Sequence, residues 1–91
     1  MSRAAFDVHS AQRSGRGGTT LYAGCVAVLL DPTPAGAWQY VGAYASTVRL
    51  YCSASGARKA AAKLAAMLDL RAAAEHCEAR REETARRIAA R

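Results

Sequence analysis

The chain has 91 residues, enough for one domain whose core is thin. With 13 basic and 7 acidic residues it carries a net charge of +6, which favours partners that bear phosphates or acidic protein surfaces. Three cysteines, an N-terminus without an apolar stretch and a longest apolar run of about half a membrane helix predict a reduced, cytoplasmic protein and exclude a membrane span.

The first third of the sequence predicts a hairpin. Apolar and polar residues alternate from Phe6 to His9, which predicts a short edge strand within residues 1–12. The glycine-rich stretch 13–18 predicts a flexible loop that follows this strand.

Two further strands are expected. Residues 19–30 are apolar on both faces and predict a central strand, in which Gly24 marks a bulge or a close backbone approach. The Pro- and Gly-containing stretch 31–36 predicts a loop, after which residues 37–45 return antiparallel. Strand character continues over 48–52. With strict alternation, one face of the returning strand would hold Trp38, Tyr40, Gly42 and Tyr44.

The last third predicts helix. Ser53 and Ser55 can each cap a helix start, and residues 57–91 contain neither Gly nor Pro. This stretch is one long helix or a pair of helices hinged near 69–71. The stripe expected to pack on the sheet is Ala60, Leu64, Met67 and Leu68.

The predicted fold class is therefore α+β: an antiparallel sheet of three or four strands followed by a long C-terminal helix or helix pair. Residues 1–70 are expected to form a small α+β domain, and residues 71–91 a helical extension of it. We expect Trp38 and Leu64 to face each other across the helix–sheet layer.

Catalytic and metal-binding signatures are missing from the sequence. There is no C-x-x-C pair, and His76 and Cys77 are neighbours about 100° apart on a helix, so one metal ion cannot easily take both. A nucleophile could pair a strand cysteine, Cys25 or Cys52, with a histidine, but the sequence indicates no acid to orient the imidazole. The expectation is a non-enzymatic protein without metal or cofactor.

The segment Ala57-Arg58-Lys59-Ala60-Ala61-Ala62-Lys63-Leu64-Ala65 resembles the second helix of double-stranded-RNA-binding domains, which also place three strands before it. The resemblance implies phosphate contacts from the start of this helix. Ala54 and Ser55 stand where that family has paired lysines, residues 1–18 offer no counterpart of its first helix, and only Arg58 matches a phosphate-contacting position.

Two functions are compatible with these features. The first is a protein-binding module or inhibitor acting on a nucleoprotein machine, by analogy with small phage and mobile-element proteins such as anti-CRISPR proteins. The second is a nucleic-acid-binding protein that contacts phosphates with little sequence readout. A homodimer through paired helices is also open. The candidate binding residues are Arg13, Arg16, Arg58, Lys59, Lys63, Arg80, Arg81, Arg86 and Arg87.

Overall fold

A computed structural model describes residues 3–31 and 38–91 and shows an α+β fold. Three antiparallel strands lie in the order β1-β2-β3, and two helices follow them, which confirms the predicted fold class. The elements are β1 (Arg3–Ser14), β2 (Thr20–Asp31), β3 (Gln39–Ser46), α1 (Ala54–Ala66) and α2 (Leu70–Ala89).

The β1–β2 hairpin is long and regular. Its register is unbroken from the pair Arg3–Asp31 to the pair Ser14–Thr20. The two strands are joined through a 3-10 turn in which Gly17 and Gly18 adopt φ of 68° and 77°. Glycine reaches this left-handed region without the steric penalty of a side chain. The stretch predicted to be a flexible loop is thus a defined hairpin turn, and the edge strand is longer than expected.

Strand β3 breaks the alternation that the sequence suggested. Its register against β2 shifts twice, between Val26 and Ala27 and again between Val28 and Leu29. Each shift places an extra residue on β3, and this exchanges the faces of the residues beyond it. Tyr44 therefore lies on the helix side, whereas Tyr40 pairs with Leu29 on the opposite face. The predicted single-faced aromatic row is wrong for this reason.

Trp38 does not belong to the core. Its side chain is 43% exposed, and the guanidinium of Arg3 lies 5.3 Å from its ring centroid in a cation–π contact. The expected pairing of Trp38 with Leu64 across the helix–sheet layer is wrong. The ring that meets the helices from β3 is that of Tyr44, which stacks on Phe6 at 6.5 Å and approaches His76 edge-on at 5.8 Å.

The predicted strand over 48–52 is reduced to one β-bridge. The backbones of Tyr22 and Tyr51 exchange two hydrogen bonds of 2.8 Å, while the residues just before Tyr51 are not strand. The predicted loop at 31–36 begins later than expected because β2 continues through Asp31. Its remainder lies outside the described residues.

Helix α1 packs over β1 and β2 because a glycine leaves room for it. Ser53 caps the helix, since its Oγ accepts a 3.1 Å hydrogen bond from the Gly56 N–H. A Cβ on Gly24 would overlap the carbonyl oxygen of Ala57 and would meet Ala61, and both alanines are fully buried. The buried face of α1 is thus made of small residues.

The predicted apolar stripe of α1 is partly out of phase. Met67, one of its four members, is 83% exposed, and the other three are only partly buried. The fully buried positions are Ala57 and Ala61, which lie seven residues before Leu64 and Leu68 and therefore share their face of the helix.

Helix α2 begins after a short break at residues 67–69. The carboxylate of Asp69 accepts hydrogen bonds from the Arg71 and Ala72 N–H groups, at 3.0 and 3.3 Å. Of the two arrangements considered for residues 57–91, the structure adopts the helix pair. No helix within residues 3–31 and 38–91 is long and apolar enough to cross a membrane.

Candidate partner-binding groove

Helix α2 crosses the sheet and then extends past it. Near its start, Leu70 and Ala74 lie beside Ala4 of β1 and Leu30 of β2. Two turns later, the Sγ of Cys77 lies 3.8 Å from the position that a Cβ on Gly42 of β3 would occupy. Every residue from 78 to 91 is exposed. The helical part of this overhang, residues 78–89, measures roughly 18 Å at 1.5 Å per residue.

A groove of about 510 Å³ lies between the overhang and β3, the last strand of the sheet. Residues 41–43 line it from the strand, and the helix lines it with Cys77, Arg80, Arg81, Thr84, Ala85 and Ile88. Ile88 is 62% exposed, and within the described ranges no strand pairs with the outer edge of β3. The groove thus combines an exposed aliphatic side chain with a strand edge that has free backbone groups.

The charge of the groove is positive. Arg80 and Arg81 line it, no carboxylate does, and neither arginine forms an ion pair with another described residue. Elsewhere on α2, two arginines pair with a carboxylate of the same helix: Arg71 with Glu75 at 3.5 Å and Arg87 with Glu83 at 2.7 Å. The groove therefore attracts an acidic group.

Cys77 closes the inner end of the groove and titrates unlike a free thiol. Burial raises the pKa of its thiol above the ordinary 9.0, and the positive charge of Arg80 offsets part of that rise. The thiol stays neutral at physiological pH and packs as a small apolar group against Val28 and Ala73.

This perturbation predicts a pH dependence of stability. Because the pKa is higher in the folded than in the unfolded protein, the contribution of Cys77 is complete below the unfolded pKa and is lost as pH rises through the folded pKa. Urea denaturation under reducing conditions at neutral pH and at about pH 10 should show stability falling more steeply in the wild type than in Cys77→Ala. Equal slopes in the two proteins would contradict the assignment.

The predicted binding residues lie on three separate elements. Arg13 and Arg16 belong to the β1–β2 hairpin, and Arg58, Lys59 and Lys63 lie exposed on α1. Only Arg80 and Arg81 line the groove.

The remaining two, Arg86 and Arg87, lie on another side of α2, beside Ala79, Glu83 and Ala90. The groove residues that sequence reasoning missed are Ile88, Thr84 and those of β3. The signal that could have found Ile88 is its position as the single large apolar residue after Cys77.

The Cys–His pairing that the sequence left open is partly assembled. Cys25 lies opposite His9 across β1 and β2, and His9 Nδ1 lies 3.5 Å from Asp7 Oδ2. The thiol of Cys25 is directed at its own strand, 3.8 Å from the carbonyl oxygen of Ala23. Within the part of the chain that the structure describes, no three His, Cys, Asp or Glu side chains are grouped as metal ligands.

Comparison of the chain with protein-family models, with curated proteins and with solved structures found no match. The resemblance of the α1 segment to double-stranded-RNA-binding domains stays a prediction.

Proposed function

We propose that this protein is a non-enzymatic module that binds another protein in the groove between β3 and the second half of α2. The observation that carries the proposal is the course of α2, which leaves the sheet after Cys77 and holds Ile88 exposed beside an unpaired strand edge. An exposed aliphatic anchor beside an unpaired strand edge is suited to a short peptide segment, since the two register shifts of β3 leave no continuous edge for a long added strand.

The chemistry of the groove defines the partner segment. Two arginines in a groove that no carboxylate lines favour acidic side chains, and Ile88 favours an apolar one. A nucleoprotein machine combines acidic protein segments with nucleic acid, so it could contact the groove and the basic residues of α1 at once. Blocking such a machine would make this protein an inhibitor.

A second candidate, nucleic-acid binding, is favoured by the face of the sheet opposite the helices. Trp38 and Tyr40 are 43% and 59% exposed, and Arg3 contacts the ring of Trp38. Exposed aromatic rings on a sheet can stack with the bases of a single strand. Against this candidate, the basic residues are divided among the hairpin and two helices, and those of α2 are interleaved with acids.

The proposal is tested by display of a random peptide library against the immobilised protein. We expect the retained peptides to combine acidic with apolar residues. Replacing both groove arginines (Arg80→Glu with Arg81→Glu) should weaken the binding of the retained peptides about tenfold or more, since the loss of each charge-assisted contact costs about 1 kcal/mol or more.

The matched control carries the same change of charge on α1, Lys59→Glu with Lys63→Glu, and should bind these peptides like the wild type. In parallel, duplex and single-stranded DNA and RNA are titrated at two salt concentrations. If no peptide binds in a way that the groove arginines affect, while nucleic acid binds and the α1 variant weakens it with the salt slope falling by about one unit per lost phosphate contact, the partner is nucleic acid and the proposal is wrong.

A further inference from the structure

The outer edge of β1 differs from that of β3. β1 spans 12 residues without a register shift, and residues 3–14 contain neither proline nor lysine. Bulges, prolines and charged side chains, lysine above all, are features with which proteins protect strand edges, and β1 has only the charges of Arg3, Asp7 and Arg13. β3 has two register shifts in 8 residues, so its edge is interrupted where that of β1 is continuous.

Asp7 and His9 of β1 lie in the order that a two-fold axis between them requires. In an antiparallel pair of identical strands, an odd-numbered residue lies opposite an odd-numbered one and an even-numbered residue opposite an even-numbered one, because residues directly opposite each other share a face of the sheet. A strand pair centred on Asp7 would set two carboxylates against each other, and one centred on His9 would set two imidazoles against each other.

With Val8 at the centre, Asp7 of each copy lies opposite His9 of the other. The same register places Val8 opposite Val8 and overlaps residues 3–13, nearly the whole strand. It also places Arg3 opposite Arg13 at both ends, where the side chains are exposed and solvent screens the repulsion.

His9 has a polar atom that such pairing can use. Its Nδ1 is buried and, among the described residues, has no hydrogen-bond partner, since the 3.5 Å contact with Asp7 does not have hydrogen-bond geometry. Opposed side chains of an antiparallel pair have Cβ atoms about 4.5–5.5 Å apart. The carboxylate of the second copy is therefore within reach of the imidazole.

We propose that two copies of this chain pair through β1, antiparallel and centred on Val8, into a continuous six-stranded sheet. The pairing is held by the exchanged backbone hydrogen bonds of the two strands and by two Asp7–His9 contacts between copies. It uses the opposite edge of the sheet from the partner-binding groove, so each copy keeps its groove and the dimer is bivalent.

Sedimentation equilibrium over a range of concentrations up to millimolar tests the proposal. We expect the wild type to dimerise. His9→Asp sets two carboxylates against each other at both symmetric positions and should weaken the dimer at least tenfold. The double exchange Asp7→His with His9→Asp again sets a histidine opposite an aspartate, and does so in this register alone. It should return the dimerisation affinity to within about threefold of the wild type.

Circular dichroism melts verify that each variant is folded. The groove variant Arg80→Glu with Arg81→Glu should dimerise like the wild type, which separates this proposal from the proposed function. A wild type that stays monomeric at millimolar concentration, a dimer indifferent to His9→Asp, or a double exchange that does not restore the dimer would each overturn it.

Discussion

Replacing Gly24 with alanine is expected to destabilise the protein by about 3 kcal/mol, at the upper end of the usual cost of overpacking. The added Cβ would overlap the carbonyl oxygen of Ala57, a backbone atom of α1 that cannot rotate away, and would also approach Ala61 and Thr47. Either α1 lifts from the sheet or β2 shifts. Urea denaturation followed by circular dichroism measures the loss.

The matched control is Gly42→Ala on β3. Of the residues that the structure describes, a Cβ at this position would meet only Cys77, whose Sγ lies at 3.8 Å, an ordinary van der Waals contact. Gly42→Ala should change the free energy of unfolding by no more than about 1 kcal/mol. Neither Gly24 nor Gly42 has a positive φ, so backbone strain does not contribute to the difference between the two substitutions. Equal destabilisation by the two substitutions would mean that α1 does not approach Gly24 as described.

Truncation after Leu70 is expected to unfold the domain. It removes Ala73 and Cys77, which cover Val28 and pack against the partly buried Phe6 and Tyr44. Exposing the fully buried Val28 costs about 1.5–3 kcal/mol, and exposing the partly buried Phe6 and Tyr44 adds a smaller cost for each. That is comparable with the total stability of a small domain, about 5–15 kcal/mol. The truncated chain should show no cooperative melting transition.

Truncation after Ala79 provides the comparison. It keeps both buried residues of α2 and removes most of the exposed overhang. We expect this variant to melt cooperatively near the wild-type temperature and to lose binding of the selected peptides. If it unfolds as well, the overhang stabilises the core, and the separation of folding from binding along α2 is wrong.

The sequence predicted the elements well because their signals are local. The signals are the alternation at Phe6–His9, the absence of Gly and Pro from residue 57 onward, and the capping serine, and each depends only on residues close in sequence. The strand, the helices and the cap that they predict are all present in the structure. Bulges are different, since a register shift depends on the partner strand. For this reason the faces of Trp38, Tyr40 and Tyr44 could not be read from β3 alone.

The candidate site was predicted only in part. Arg80 and Arg81 belonged to the predicted set because charge is visible in composition. The groove itself depends on where α2 crosses the edge of the sheet, and this follows from the packing of Cys77 over Gly42. No pattern within α2 encodes that crossing point, so the contributions of Thr84 and residues 41–43 could not be predicted.

The buried alanines of this core affect how its sequence can diverge. Among the described residues, the fully buried hydrophobic side chains other than Val26 and Val28 are alanines, including Ala57, Ala61 and Ala73, so the core has little volume to lose by truncation. A saturation library should therefore reject larger residues at these alanine positions, whereas cores rich in leucine and phenylalanine lose stability mainly by truncation. Lineages of this protein would then accumulate substitutions on the surface while the helix–sheet spacing stays fixed.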